Sequence, residues 1–410
     1  MRFVRELTNW SSGTADPEQF PYHAVVAEFN RVGKHFVKKE LLALLDQLRA
    51  QVNARAAPDR QLSAFLDVAL DKWDARYDYL SYLALPLLPL PAVGRRERDR
   101  LLVDLVADAV AFELAASTDG TDLLPEQRPG PMLVTKRCRL GVRAGFAALT
   151  RLGLAGTVTD PDPVTAAVAL HRLAVTGRDA ARERVLRLSM LPVYVSHDEY
   201  LFIRVLQAYE CLFAGVAEEL RATITALGTG RPRQAAARLA YARELIGGAG
   251  ALFSLLATMQ PAAFRTFREY TEGASAIQSR SYKLMESLCR TPEPARLDST
   301  AYRSVPEVRD LVRAGQPSID QAYRAAVRDG RLRGTEHTLV RQQMAAFAEA
   351  VLTWRRTHHR LAVRMLGSRT GTGYTEGTPY LAAVRSVPVF TAVSTDPRPS
   401  RTDPIGGRPE

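Results

Sequence analysis

What this sequence lacks most plainly is alternation. Scarcely any of its 410 residues fall in runs where apolar and polar side chains take turns, and its 46% hydrophobic content recurs at helical intervals, which predicts an all-α protein. Cysteine is scarce. Cys138, Cys211 and Cys289 are far apart, odd in number and without CxxC or CxxCH spacing, which excludes a cysteine zinc site and a covalently attached c-type haem and suggests a reducing cytoplasm. Lysine too is scarce for a basic chain. Only six of the 55 basic residues are Lys, and the net charge of +11 is interspersed with Asp and Glu with no basic block, so solvated helix faces are favoured over a nucleic-acid footprint. Long apolar runs are also missing. The closest, Tyr82 to Val93, is too short to span a bilayer and is broken by three prolines, while the first residues, from Met1 to Thr14, lack a signal-peptide core. A soluble cytoplasmic protein with no membrane and no nucleic-acid partner is expected.

What is present is led by one long helix, predicted from about Leu339 to Leu366. Met344, Phe347, Val351, Trp354, Leu361 and Met365 step along it as a single apolar stripe, and the wider interval in that stripe is filled by His358. Its neighbour His359 points about 100° away. Such an imidazole serves equally as a hydrogen-bonded core group or as a metal ligand, and the spacing alone leaves both open. Gly367 can cap the helix, and the loop from Ser368 to Gly377 carries three further glycines that allow close approach of backbone to a ligand.

Further helices are expected over Tyr22 to Val52 with a possible break at Gly33, Arg60 to Asp74, Arg96 to Ala116, Leu140 to Leu152 and Pro163 to Met190. The residues from Ser394 onward are rich in Pro, Gly and charge and are expected to be disordered. At Ser196-His197-Asp198-Glu199 the spacing predicts a capping box, followed by a helix face through Phe202, Leu206, Tyr209, Phe213 and Val216. The His-Asp-Glu triplet invites a metal assignment, but consecutive helical residues splay apart, so a charged helix start is the simpler expectation. Phe264 and Arg268 share one flank of another helix, placing a ring beside a guanidinium, a sensible receptor for an aromatic amino acid with its carboxylate. A nucleotide-binding loop at Gly371 and Gly373 finds little support, because the third glycine is out of step and the loop follows a helix.

The runs Trp354 to His358, Arg364 to Gly373 and Gly377 to Leu381 resemble the C-terminal signature of the tryptophan 2,3-dioxygenases, a haem-enzyme family. Ser196 to Glu210, Phe264 to Tyr270 and Ala274 to Ser279 are similar to further elements of that family, so the resemblance spans roughly residues 194–390. It implies that His358 is the axial ligand of a non-covalent haem b iron, that Arg268 holds a substrate carboxylate, that Thr372 contacts the ammonium and carboxylate end, and that Phe202, Phe264 and Ser275 line the substrate pocket. Two positions depart from the family pattern: Leu206 stands where the family has its distal histidine, and Ala276 replaces the usual glycine. Tyr79 and Tyr82 lie in a stretch, Tyr79 to Leu85, similar to a family element whose tyrosines reach into a neighbouring subunit's pocket. The expectations that follow are a helical N-terminal region of unknown role over 1–190, a haem-binding oxygenase domain over 191–392 and a tail over 393–410. The implied activity is haem-dependent dioxygenation of L-tryptophan or a related indole, with molecular oxygen as co-substrate, in a homo-oligomeric (dimeric or tetrameric) enzyme. Haem-dependent hydroxylation of tyrosine or an indole in natural-product biosynthesis is the alternative, and a non-enzymatic helical interaction protein the second alternative.

Overall fold

Helix starts along this chain follow from local chemistry. Asp59, Asp78, Asp162, Asp179, Ser279 and Ser318 each accept a backbone N–H of the turn that follows, and prolines open six other or overlapping helices where a missing N–H costs nothing. A computed structural model describes residues 2–12, 16–55, 57–90, 93–366 and 378–393. Among them no strand occurs; Glu126 and Ser196 make one isolated bridge. The architecture is all-α.

The N-terminal part comprises α1 (Arg2–Ser12), α2 (Tyr22–Val32), α3 (Lys39–Asn53), α4 (Arg60–Ala69) and the single turn α5 (Tyr79–Tyr82). The helix expected from Tyr22 to Val52 divides at Gly33, whose φ of +80° ends α2 and whose hydrogen faces the Val193 carbonyl so closely that a Cβ would lie 2.7 Å from it. Leu7, Val25, Phe29, Leu45, Phe65 and Leu66 form a core of their own, closed against Leu188 and Leu191. Then follow α6 (Arg95–Ser117), α7 (Pro131–Leu152), α8 (Pro163–Thr176) and α9 (Ala180–Leu188). The expected Pro163–Met190 helix is thus two, because Gly177 and the N-cap Asp179 interrupt it.

The remaining helices are α10 (His197–Gly228), α11 (Pro232–Leu256), α12 (Pro261–Arg268), α13 (Arg280–Cys289), the short α14 (Pro294–Leu297) and α15 (Thr300–Arg303), α16 (Pro306–Arg313), α17 (Ile319–Arg328), α18 (Gly334–Leu366) and α19 (Thr378–Arg385). The long helix seen in the sequence starts earlier, at Gly334. Helix α10 runs through the centre, packed against α6, α11, α13 and α17, while α11 bridges α7 and α18. By length and composition α10 and α11 could cross a membrane, but most of the apolar window of α10 is buried inside the protein.

The start of α10 departs from its expected capping box. Ser196 Oγ donates instead to Gln127, and Glu199 accepts from the backbone N–H groups of Val193 (2.6 Å) and Tyr194 (3.0 Å). The triplet does form the charged start of α10, as expected, but it is buried. His197 stacks on Phe112 beside Glu113, Asp198 pairs with Arg137 at 2.7 Å, and all three residues of the triplet are fully buried. Each ties α10 to a different neighbour, and no cluster of residues with metal-ligand chemistry occurs among the described residues. Gly367, the loop 368–377 with Thr372, and residues 394–410 lie outside the described residues.

Candidate functional site

The spacing that makes α10 amphipathic also makes it a wall. Phe202, Leu206, Tyr209 and Phe213 recur every three or four residues, so one face lines a deep cavity. Opposite stand Trp354, His358, Leu361 and Met365 of α18, and the remaining walls come from Tyr79 and Tyr82, from Phe253 and Leu256, and from Phe264, Phe267, Arg268 and Ser275. Every site residue singled out in the sequence within the described residues therefore lines one cavity; Thr372 falls outside them.

Aromatic rings define two neighbourhoods. Phe202 has its ring centroid 5.8 Å from Phe264, 5.3 Å from Phe267 and 6.4 Å from Tyr82, with Arg268, Ser275 and Ala276 also in the wall. Around His358 the rings of Trp354 and Phe253 approach to 5.1 and 5.9 Å. Burial holds the His358 imidazole down at about 4, so the ring is neutral near pH 7 and keeps a lone pair to offer. His359 is absent from the lining. Leu206, one turn beyond Phe202, presents only methyl groups.

Polar groups that the sequence did not single out complete the walls. Glu210, one turn beyond Leu206, accepts from Tyr79 Oη (3.1 Å) and Ser279 Oγ (2.5 Å), and burial pushes its carboxyl above the usual range. Arg355 Nε donates to Tyr282 Oη at 2.9 Å, and Lys283 Nζ donates to Tyr380 Oη at 3.3 Å while lying 3.5 Å from Glu286. Arg296 also holds Glu286, so among the described residues three cations gather around one carboxylate. Trp354 Nε1 is buried without a hydrogen-bond partner among them. Glu210 and Arg355 sit inside runs already singled out, and helical spacing from Leu206 and from Val351 could have marked them; Lys283 had no such signal.

Residues 188–336 match the family model of tryptophan 2,3-dioxygenase. This segment is similar to that family. A tryptophan 2,3-dioxygenase of Anaeromyxobacter sp. (strain K) is 28% identical over 223 residues, 47% of this chain and 84% of that protein. One of Nocardioides sp. (strain ATCC BAA-499 / JS614) is 29% identical over 214 residues, 45% of this chain and 79% of that protein. One of Anaeromyxobacter dehalogenans (strain 2CP-C) is 26% identical over 262 residues, 57% of this chain and 96% of that protein. The tryptophan 2,3-dioxygenase resemblance noted in the sequence thus has independent support.

Haem, the cofactor expected of tryptophan 2,3-dioxygenases, fits the residues present. A planar, largely apolar dianion needs flat hydrocarbon walls, a neutral nitrogen donor and hydrogen-bond donors for its carboxylates. The rings about His358, the neutral imidazole, the partnerless Trp354 Nε1 and the surplus cations at Lys283 and Arg355 supply each of these.

Proposed function

We propose that this protein is a haem-dependent oxygenase of an aromatic amino acid, L-tryptophan or a related indole, acting by dioxygenation in the cytoplasm. The observation that carries the reading is the convergence, in one apolar cavity, of a neutral, half-buried imidazole on α18 with the ring-and-guanidinium flank Phe264–Arg268 on α12. Haem b, held through His358 and packed by Trp354 and Phe253, would supply the oxygen chemistry when bound. The chain's own residues do the rest. Arg268 receives the substrate carboxylate, Ser275 and, in the family pattern, Thr372 contact the amino-acid end, and Phe202, Phe264 and Tyr82 hold the aromatic ring. Leu206 excludes water from the adjoining wall and offers no proton acceptor, so proton abstraction at that position plays no part and positioning is the protein's main contribution.

Hydroxylation of tyrosine or an indole is the second reading. Leu206 favours it, since an apolar wall there leaves room for a differently placed ring. The division at residues 190 and 392 is part of the proposal too: the oxygenase domain carries the cofactor face, and the helices before it supply Tyr79 and Tyr82. Titration of haem into purified protein, followed by L-tryptophan, tests the reading. A Soret band that shifts on addition of the amino acid is expected; no haem uptake would overturn it.

A further inference from the structure

Arg268 and Ser275 bracket the connection from α12 to α13, whose own hydrogen bonds are short-range turns, Tyr270 to Phe267 and Ala274 to Thr271 among them, with one 3-10 turn, Ala276–Gln278. The N-terminal region grips that connection at three places. Lys72 Nζ donates to the Tyr270 carbonyl at 3.1 Å and pairs with Glu272 at 3.0 Å, lying 4.0 Å from the centroid of the Tyr77 ring. Glu272 holds a φ of +44°, a left-handed conformation uncommon for a residue with a Cβ, and its carboxylate also meets His35 Nδ1 at 3.4 Å. The Tyr79 N–H donates to Gln278 Oε1 at 3.1 Å, the same oxygen that accepts from the Ser275 N–H at 3.0 Å. Behind these contacts the buried pair Lys34–Asp71, 2.5 Å apart, anchors the turn that presents Lys72.

We propose that the N-terminal region is a clamp, acting within the same chain, that fixes the carboxylate-binding connection, with Lys72 as its positioning residue. The proposal rests on the assignment of Arg268 as carboxylate receptor. Lys72 touches no substrate; it sets where Arg268 and Ser275 stand by holding the backbone between them. Tyr79 and Tyr82, which follow Lys72 in the chain, hydrogen-bond to Glu210 and Glu199 and line the same pocket.

The test uses the haem-loaded full chain, with amino-acid binding read from the Soret band. Lys72→Met should raise the Kd for L-tryptophan about tenfold, the weight of one charge-assisted hydrogen bond, leave the Kd for tryptamine, which has no carboxylate, unchanged, and keep haem affinity and Tm at wild-type values. Lys72→Arg should restore tight binding, and Glu272→Gln, at a half-exposed position, should show a weaker loss of the same kind. Mixed assembly of Lys72→Met chains with Arg268→Leu chains should create no tight sites. Wild-type affinity in Lys72→Met, or equal losses for L-tryptophan and tryptamine, overturns the clamp alone; tight sites in the mixture overturn its action within one chain. A wild-type protein that binds haem but no aromatic amino acid overturns the assignment of Arg268 and the clamp with it.

Discussion

Trp354 and His358, one turn apart on α18, face the same cavity with ring centroids 5.1 Å from one another. The indole fixes one side of the imidazole and Phe253 stacks on it at 5.9 Å, so the ring that faces the cavity is held in place as well as neutral. A ligand that must bind iron needs both properties.

Haem binding should therefore depend on His358 and not on its neighbour. His358→Ala is expected to lose the Soret band of the wild type, and His359→Ala to keep it. Absorption spectra of the two variants after identical haem titration check this, and equal retention would remove His358 as the ligand.

Arg268→Leu should weaken aromatic amino-acid binding by roughly 30-fold to several thousand-fold, the range of about 2–5 kcal/mol for deleting one partner of a buried charge pair. The haem spectrum without substrate should be unchanged. A titration in which the variant matches wild type would refute the role of the guanidinium.

Much of this arrangement was legible before any coordinates. Helical periodicity marks the stripe that contains His358, the face that joins Phe202 to Leu206 and the flank that pairs Phe264 with Arg268, because each is a relation within one helix. Relations between helices were not legible. Lys72 and Tyr270 are far apart in the chain, and no local pattern announces that a lysine will find a particular carbonyl. The Ser196–Glu199 spacing satisfied the rule for a capping box, yet tertiary partners, Gln127 and the Val193–Tyr194 backbone, took both side chains. Likewise the sequence shows His197, Asp198 and Glu199 as a charged helix start, but not that α6 and α7 bring Glu113 and Arg137 against it.

That buried network should be costly to open. Arg137 bridges Glu113 (2.8 Å) and Asp198 (2.7 Å) with no solvent access, so Arg137→Met leaves two carboxylates without their cation. Losing one partner of a buried ion pair costs about 3–5 kcal/mol, and urea unfolding should show a loss of that size. A midpoint within error of wild type would mean that the carboxylates find other partners.

Glu199 makes stability depend on pH. Its burial raises the carboxyl from 4.5 to about 8 in the folded chain, so between those values the folded state binds the proton more tightly than the unfolded state does. The stabilisation is complete below about 4.5 and is lost as pH rises through about 8. Denaturation at pH 5 and pH 8.5 should show Glu199→Gln gaining on wild type at the higher pH. A constant difference between the two proteins would assign the pH dependence elsewhere.

The central claim, dioxygenation of an indole amino acid in a cavity whose distal wall is Leu206, is tested most directly by the fate of oxygen. Incubation of the haem-loaded, reduced protein with L-tryptophan under ¹⁸O₂, followed by mass spectrometry of the product, should find two labelled atoms in an N-formylkynurenine-type product. One labelled atom on an intact ring would contradict dioxygenation and establish the hydroxylase reading.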